Sequence, residues 1–165
     1  MSQITVKKRH VIRKSQAAEL MKQLGEEIGA SADLFRSERI ERVETDAPFE
    51  IYLVDKKPLL MGTADWAFPS LRGLVERPIP ERRVVVDSGA VRFVVNGADI
   101  MRPGIVSISS DVRAGHPVQV VDERHSKPLA VGIALFGAAD MEQQERGKSV
   151  KNIHHVGDDL WNLEV

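Results

Sequence analysis

Few residues in this chain are arranged as catalysts would be. Gly147-Lys148-Ser149 has the ending of a phosphate-cradling glycine loop. Such a loop needs a further glycine five positions before Gly147, and this chain has Glu142 there. The approach, Met141-Glu142-Gln143-Gln144-Glu145, is acidic and helix-forming, which argues against nucleotide hydrolysis. His154 and His155 are adjacent. Neighbours on a strand point to opposite faces, so the two cannot readily share one metal. A structural or nucleic-acid-facing role for one of them is the better expectation. Glu26-Glu27 lies on a helix where neighbours diverge, and Asp158-Asp159 reads as a turn cap. Neither gives an acid facing a base. Ser107, Ser109 and Ser110 lack the Gly-x-Ser-x-Gly elbow. The absence of cysteine removes disulfides, thiolate metal sites and thiol catalysis. The expectation is a protein that is not an enzyme and carries no cofactor and no metal.

Residues 87–105, DSGAVRFVVNGADIMRPGI, form the most unusual segment. Gly89, Gly97, Gly104, Ala90, Ala98 and Pro103 keep the surface small around one helix and its following loop, so another backbone can approach closely. Arg92 and Arg102 could then reach phosphate oxygens. Equally, the glycines could serve only a helix end and a tight turn, and the residues alone leave both readings open. A second basic cluster, Lys7, Lys8, Arg9, Arg13 and Lys14, falls within 18 residues that carry no acid. It reads either as an anion footprint or as a strand edge guarded by its charges, and charge alone favours the guard. Aromatics make up 5% of the chain, with no Lys/Arg–aromatic–Gly–aromatic string. A base-stacking sheet is therefore disfavoured, and any RNA would be read by backbone and shape.

The positioning elements follow from periodicity. A strand over 4–10 precedes a helix that starts at Ser15 as N-cap, carries Ala18, Leu20, Met21, Leu24 and Ile28 as its apolar stripe, and ends at Gly25 or Gly29. Strands at 39–44 and 49–54 alternate, residues 55–58 turn, and 59–61 return. Pro69 suits the first turn of a short helix through Val75. The Pro-rich, charged run 77–83 reads as a linker near residue 78, giving domains 1–78 and 79–165. The second half has strands at 84–86, 105–108, 118–121 and 129–136, a helix capped by Asp87 that stops at Gly97, and a helical turn at 141–146. Val91, Val94 and Val95 should face inward, while Ser88, Arg92 and Asn96 share the outer face at i, i+4 and i+8. Segments 150–153 and 160–165 close the chain. Many short strands around one helix suggest a small mixed barrel.

The 165 residues and 18.3 kDa allow one domain or two small ones. Hydrophobic residues at 42% and charged residues at 28% support a packed core, and the net charge is −1. No apolar run approaches the roughly 20 residues of a membrane helix. The opening MSQITVKKRH has no apolar stretch behind its charges, so no ordinary secretory signal is expected. A soluble cytoplasmic protein is the default expectation.

Asp87-Ser88-Gly89-Ala90 followed by residues 97–105 (GADIMRPGI) resembles the start of a PUA domain. So do Leu129-Ala130-Val131-Gly132, then Arg146-Gly147-Lys148-Ser149-Val150 with His154, and Asp158-x-Leu160-Trp161, in that order over 79–165. The first half, with Phe68-Pro69-Ser70-Leu71, resembles the pre-PUA module. The whole is similar to the T-cell amplified sequence translation factors and their archaeal relatives; ligatin-type initiation factors carry the same two modules. The resemblance implies an α+β chain, a mixed α/β pre-PUA domain followed by a PUA pseudobarrel. It implies RNA binding, to a structured stem or a tRNA 3′ end, in translation initiation, recycling or tRNA metabolism. The implied RNA surface is Gly89, Arg92, Asn96, Gly97, Ala98, Met101, Arg102, Pro103 and Gly104, with Lys148, Lys151 and His154 beside it. Trp161 becomes core, and Lys7, Lys8, Arg9, Arg13 and Lys14 become a second RNA or ribosome contact. Expected partners are tRNA or ribosomal RNA, the small ribosomal subunit, or a separate translation factor. The alternatives are an RNA-docking subunit of a tRNA- or rRNA-modifying enzyme, and a protein adapter in translation.

Overall fold

The computed structural model describes residues 4–165. Its contacts divide the chain into two units, one running to Ile79 and including Asn162–Val165, the other Pro80–Trp161. The first unit is built on an antiparallel meander of β1 (Val6–Val11), β2 (Ile40–Thr45), β3 (Glu50–Val54), β4 (Lys57–Gly62) and β5 (Ala67–Pro69), neighbours in chain order. Between β1 and β2 run α1 (Lys14–Ile28) and a 3-10 segment, Gly29–Phe35; α2 (Leu71–Glu76) follows β5.

Local sequence accounts for these elements. Leu20, Leu24 and Ile28 recur every four residues and are buried, giving α1 its inner stripe. The helix begins two residues earlier than Ser15 as N-cap predicts. Arg13 is the N-cap, and its backbone N–H donates to the Gln16 side chain at 3.0 Å. Gly29, at φ 57°, ends it. The β3–β4 hairpin turns on Asp55 and Lys56, both in the left-handed region (φ 52° and 69°), as a two-residue turn matched to strand twist requires. Pro69 ends β5 rather than opening a helix; Ser70 caps α2, accepting from Gly73 N at 3.2 Å and donating to the Pro58 carbonyl at 2.7 Å. At Gly73 a Cβ would lie 2.2 Å from the Leu59 carbonyl oxygen, so only glycine fits.

The second unit comprises β6 (Arg83–Val86), α3 (Val91–Val94), β7 (Ile100–Met101), a 3-10 turn at Arg102–Gly104, β8 (Ile105–Ile108), β9 (Pro117–Asp122), β10 (Pro128–Ala134), α4 (Ala138–Gln143) and β11 (Lys148–His155). The strands form one sheet in the order β7-β11-β10-β9-β6-β8. All pairings are antiparallel except β6 with β9. The sheet curls into a near-barrel around Val84, Val86, Val94, Ile105, Val118, Val120, Ala130, Met141 and Val150. At Gly132 the β10–β11 register shifts, and a Cβ there would sit 2.4 Å from Val150 Cγ1 and 2.7 Å from the Lys151 carbonyl. The bulge thus depends on glycine.

The segment 160–165 is not a strand. Asp158 gathers the backbone N–H groups of His155 (2.8 Å) and Trp161 (2.9 Å) into a turn. Leu160 is buried in consequence, whereas Trp161, expected as core, is only half-buried.

Candidate nucleic-acid interface

The predicted helix from Asp87 to Asn96 contracts to one α-turn, Val91–Val94, flanked by tighter turns. Asp87 starts it by accepting the Ala90 N–H on its Oδ1 at 2.9 Å. Val94 is buried and Val91 and Val95 are half-buried, while Arg92, Phe93 and Asn96 face out. Asn96 donates to the Arg92 carbonyl at 2.7 Å, joining two members of the anticipated outer row, while Ser88 is exposed on the turn before the helix. The Arg92 guanidinium lies over the Phe93 ring, 4.8 Å from its centroid. No carboxylate pairs with Arg92 among the described residues. Phe93 is 54% exposed and Met101 47%, which gives the ledge an apolar element.

The loop after α3 is bolted to β11. Asn152 donates its two amide hydrogens to the carbonyls of Val94 (3.1 Å) and Ala98 (3.0 Å). Asp99 accepts the Asn152 backbone N–H at 3.0 Å and the Lys148 ammonium at 3.0 Å. The Lys148 hydrogen bond, then that N–H, hold the Asp99 carboxyl below its ordinary pKa. Gly97 adopts φ 92°, and a Cβ would come 3.1 Å from His155 Nε2. Left-handed backbone and a packed imidazole together require glycine there.

The predicted residues do not all stand on this ledge as free contacts. Arg102 is corrected: its Nε donates to the Met141 carbonyl at 2.8 Å and its Nη1 to that of Ile105 at 3.1 Å, with Glu142 3.9 Å away. With 17% of its side chain exposed, it clamps β8 to α4 instead of waiting for a phosphate. His154 is also corrected: it is 1% exposed, and its Nδ1 is held by Asp158 at 2.8 Å. Burial pushes the Asp158 carboxyl up, but the His154 hydrogen bond and two backbone N–H groups outweigh it and hold the acid below its usual range. Lys148 is solvent-facing yet engaged by Asp99, while Lys151 is exposed and forms no ion pair among the described residues. Ala98 and Pro103 are exposed; Gly104 sits where a Cβ would meet that of Ala90 at 3.2 Å. Gly89 is exposed, with room for a side chain.

In the first unit, β1 is an edge strand exposed along its whole length. Arg9 is corrected as a free contact: its guanidinium grips Glu41 at 3.2 and 3.3 Å, and Arg39 adds a 3.5 Å contact to the same carboxylate. Burial raises Glu41, and the two arginines more than offset it. Lys7, Lys8, Arg13 and Lys14 are exposed without ion pairs among the described residues. Phe93, Asp99 and Asn152 were missed by sequence reasoning, and of the histidine pair it chose His154 for this surface, whereas His155 is the one that packs on Gly97. Only Phe93, beside Arg92 in a predicted helix, left a signal that outward phase could have caught.

Residues 82–156 match the PUA domain family. The chain is 32% identical over 136 residues to translation machinery-associated protein 20 of Saccharomyces cerevisiae, an overlap covering 79% of this chain and 75% of that protein. It is 30% identical over 134 residues to malignant T-cell-amplified sequence 1-B of Xenopus laevis, covering 79% and 74%. The crystal structure of a hypothetical protein from Pyrococcus horikoshii OT3 superposes with a TM-score of 0.86 at 38% identity, covering 94% of this chain and 98% of that one.

Proposed function

Since the chain belongs to the family of translation machinery-associated protein 20 and the malignant T-cell-amplified sequence proteins, we propose that it is a non-catalytic, cytoplasmic RNA-binding protein of the translation apparatus. Its ligand is a structured stem or a tRNA 3′ end, met during initiation, recycling or tRNA metabolism, with the small ribosomal subunit as a candidate site of action. The observation that carries this reading is Arg92 stacked on Phe93, with no carboxylate paired to it among the described residues, beside a floor of Asn96, Gly97 and Ala98. A cation on a rigid ring loses little freedom when it meets a phosphate, and a floor of small residues admits a nucleic-acid backbone. Phosphate contacts supply affinity by releasing counterions, and the exposed ring and Met101 give apolar area to a ribose or terminal base.

Ultraviolet crosslinking in cells, followed by sequencing of the attached RNA, tests this. Enrichment of tRNA or small-subunit ribosomal RNA that disappears in Arg92→Glu is expected. RNA recovery no greater than from an uncrosslinked control would refute it.

A further inference from the structure

Strand β1 is the outer member of the five-stranded sheet. Its one ladder runs to β2, and among the described residues no other strand pairs with it. A register shift disturbs that ladder between Val6 and Lys8. From Lys8 to Val11 it is regular, opposite Glu44, Val43, Arg42 and Glu41 in turn. All six residues of the strand are exposed, Val6 at 39% and Val11 at 49% included. The outward N–H and C=O groups of such an edge stand ready to pair with a further strand. Where β1 ends, a groove of about 570 Å³ opens. Ile12 and Ile40, joined by a 3.0 Å backbone hydrogen bond, line it with Ala18 and Met21 of α1. Lys14, Arg36 and Glu38 also line it; Arg36 is held by Asp33 at 2.9 Å.

Charge decides the occupant. Lys7, Lys8, Arg13 and Lys14 are exposed without ion pairs among the described residues, and Glu44 stands opposite Lys8 in the ladder without pairing to it. Only Arg9 is engaged within the strand, by Glu41. A second copy of this chain added along the same edge would bring these lysines against their own equivalents, which like charges oppose. A nucleic-acid strand would meet the cations. It brings no regular row of donors for the strand's carbonyls, and it leaves Val11 and the apolar groove unused. An extended polypeptide carrying carboxylates supplies the backbone ladder, the opposite charge and an apolar side chain together.

We infer that β1 is a docking edge for an acidic, extended segment of a partner protein, which adds as a sixth strand along Lys8–Val11 and seats an apolar side chain in the groove between α1 and residues 36–40. The cations that bar self-pairing thereby select an acidic strand. This surface lies in the first unit, whereas the α3 ledge lies in the second, so the inference does not rest on the RNA-binding reading.

The experiment titrates the full chain with a synthetic peptide of alternating valine and glutamate that carries a leucine at each end. Fluorescence anisotropy reads affinity, and amide hydrogen exchange reads protection over residues 6–11. The control probes are the same peptide with lysine in place of glutamate, the glutamate peptide methylated on its backbone nitrogens, and a tRNA acceptor-stem minihelix. The expected result is protection of alternate residues of β1 by the unmethylated glutamate peptide alone. Its affinity should fall roughly tenfold in Lys8→Glu/Lys14→Glu and also fall in Ala18→Leu, which fills the groove. The replaced side chains are exposed, so the urea midpoints should match that of the unmodified chain, and Lys8→Gln/Lys14→Gln serves as a milder second variant. A methylated peptide that binds as tightly overturns the added strand. A glutamate peptide that binds no better than the lysine peptide overturns the docking edge altogether. A minihelix that slows exchange over 6–11 and is weakened by Lys8→Glu/Lys14→Glu assigns the edge to nucleic acid, against this inference. A chain that dimerises without peptide, with residues 6–11 protected, assigns it to a second copy, with the same consequence.

Discussion

The Arg92 guanidinium stacks over the Phe93 ring at 4.8 Å, so the ledge presents its cation from an aromatic support and not from a free arm. Phe93→Ala should therefore weaken RNA binding twice over, by removing the support and by removing apolar area. A loss of about 1 kcal/mol, roughly fivefold, is expected. Because Phe93 is largely exposed, the urea midpoint should barely move. Anisotropy and urea denaturation on the same preparation check both halves.

Arg102 should behave in the opposite way. Its substitution by alanine strips two backbone carbonyls of their donor and opens the contact between β8 and α4. Destabilisation of roughly 1–3 kcal/mol is expected, with RNA affinity of the folded fraction unchanged. Arg102→Lys should recover only part of the stability, since an ammonium cannot reproduce the fork. An Arg102→Ala variant of full stability and lost binding would return this residue to the contact surface.

Two glycines are required by close approach. Gly132→Ala forces a methyl against Val150 and the Lys151 carbonyl, and Gly73→Ala forces one against the Leu59 carbonyl. Each should cost about 1–3 kcal/mol or more. Gly89→Ala, where a Cβ would make only an ordinary 3.5 Å contact with Asp87 Oδ1, should be tolerated. Thermal melts of the three variants distinguish these outcomes.

Asp158 gives the fold a predictable acid response. Its folded-state pKa lies below its unfolded value, so the native state holds fewer protons than the unfolded chain near pH 4. Its contribution is fully present above about pH 4 and is lost as acidity carries the solution down through the folded value. Glu41 and Asp99 act with the same sign. Asp158→Asn should be less stable by roughly 1–3 kcal/mol at pH 7 and should lose less on acidification than the unmodified chain. Urea midpoints measured from pH 3 to pH 7 report both.

Legibility in the sequence varied with how local the cause was. The apolar stripe of α1, the Asp55-Lys56 turn and the valines of β6 follow from neighbours in the chain, and each element formed within a residue or two of expectation. The outward direction of Arg92 and Asn96 was likewise visible from spacing, although the helix that the spacing assumed contracts to Val91–Val94 and leaves Ser88 on a turn. What failed depended on distant partners. Nothing near Arg102 announces that Met141 will offer it a carbonyl, and nothing near Arg9 announces Glu41. His154 and His155 were indistinguishable by type, and strand phase alone did not tell which faced the core. It is His155 that packs on Gly97, while His154 is buried against Asp158. The closing segment 160–165 was given no element type by its sequence, and its start is shaped by the Asp158 turn, which accepts the His155 and Trp161 backbone N–H groups.

The most direct test is the salt dependence of binding to a structured RNA. Log affinity for an acceptor-stem minihelix should fall linearly with log salt, and the Arg92→Glu/Lys151→Glu variant should bind at least tenfold more weakly at low salt, with a slope flatter by about 2. A variant that retains both the affinity and the slope of the unmodified chain would contradict the assignment of this ledge as the RNA-binding surface.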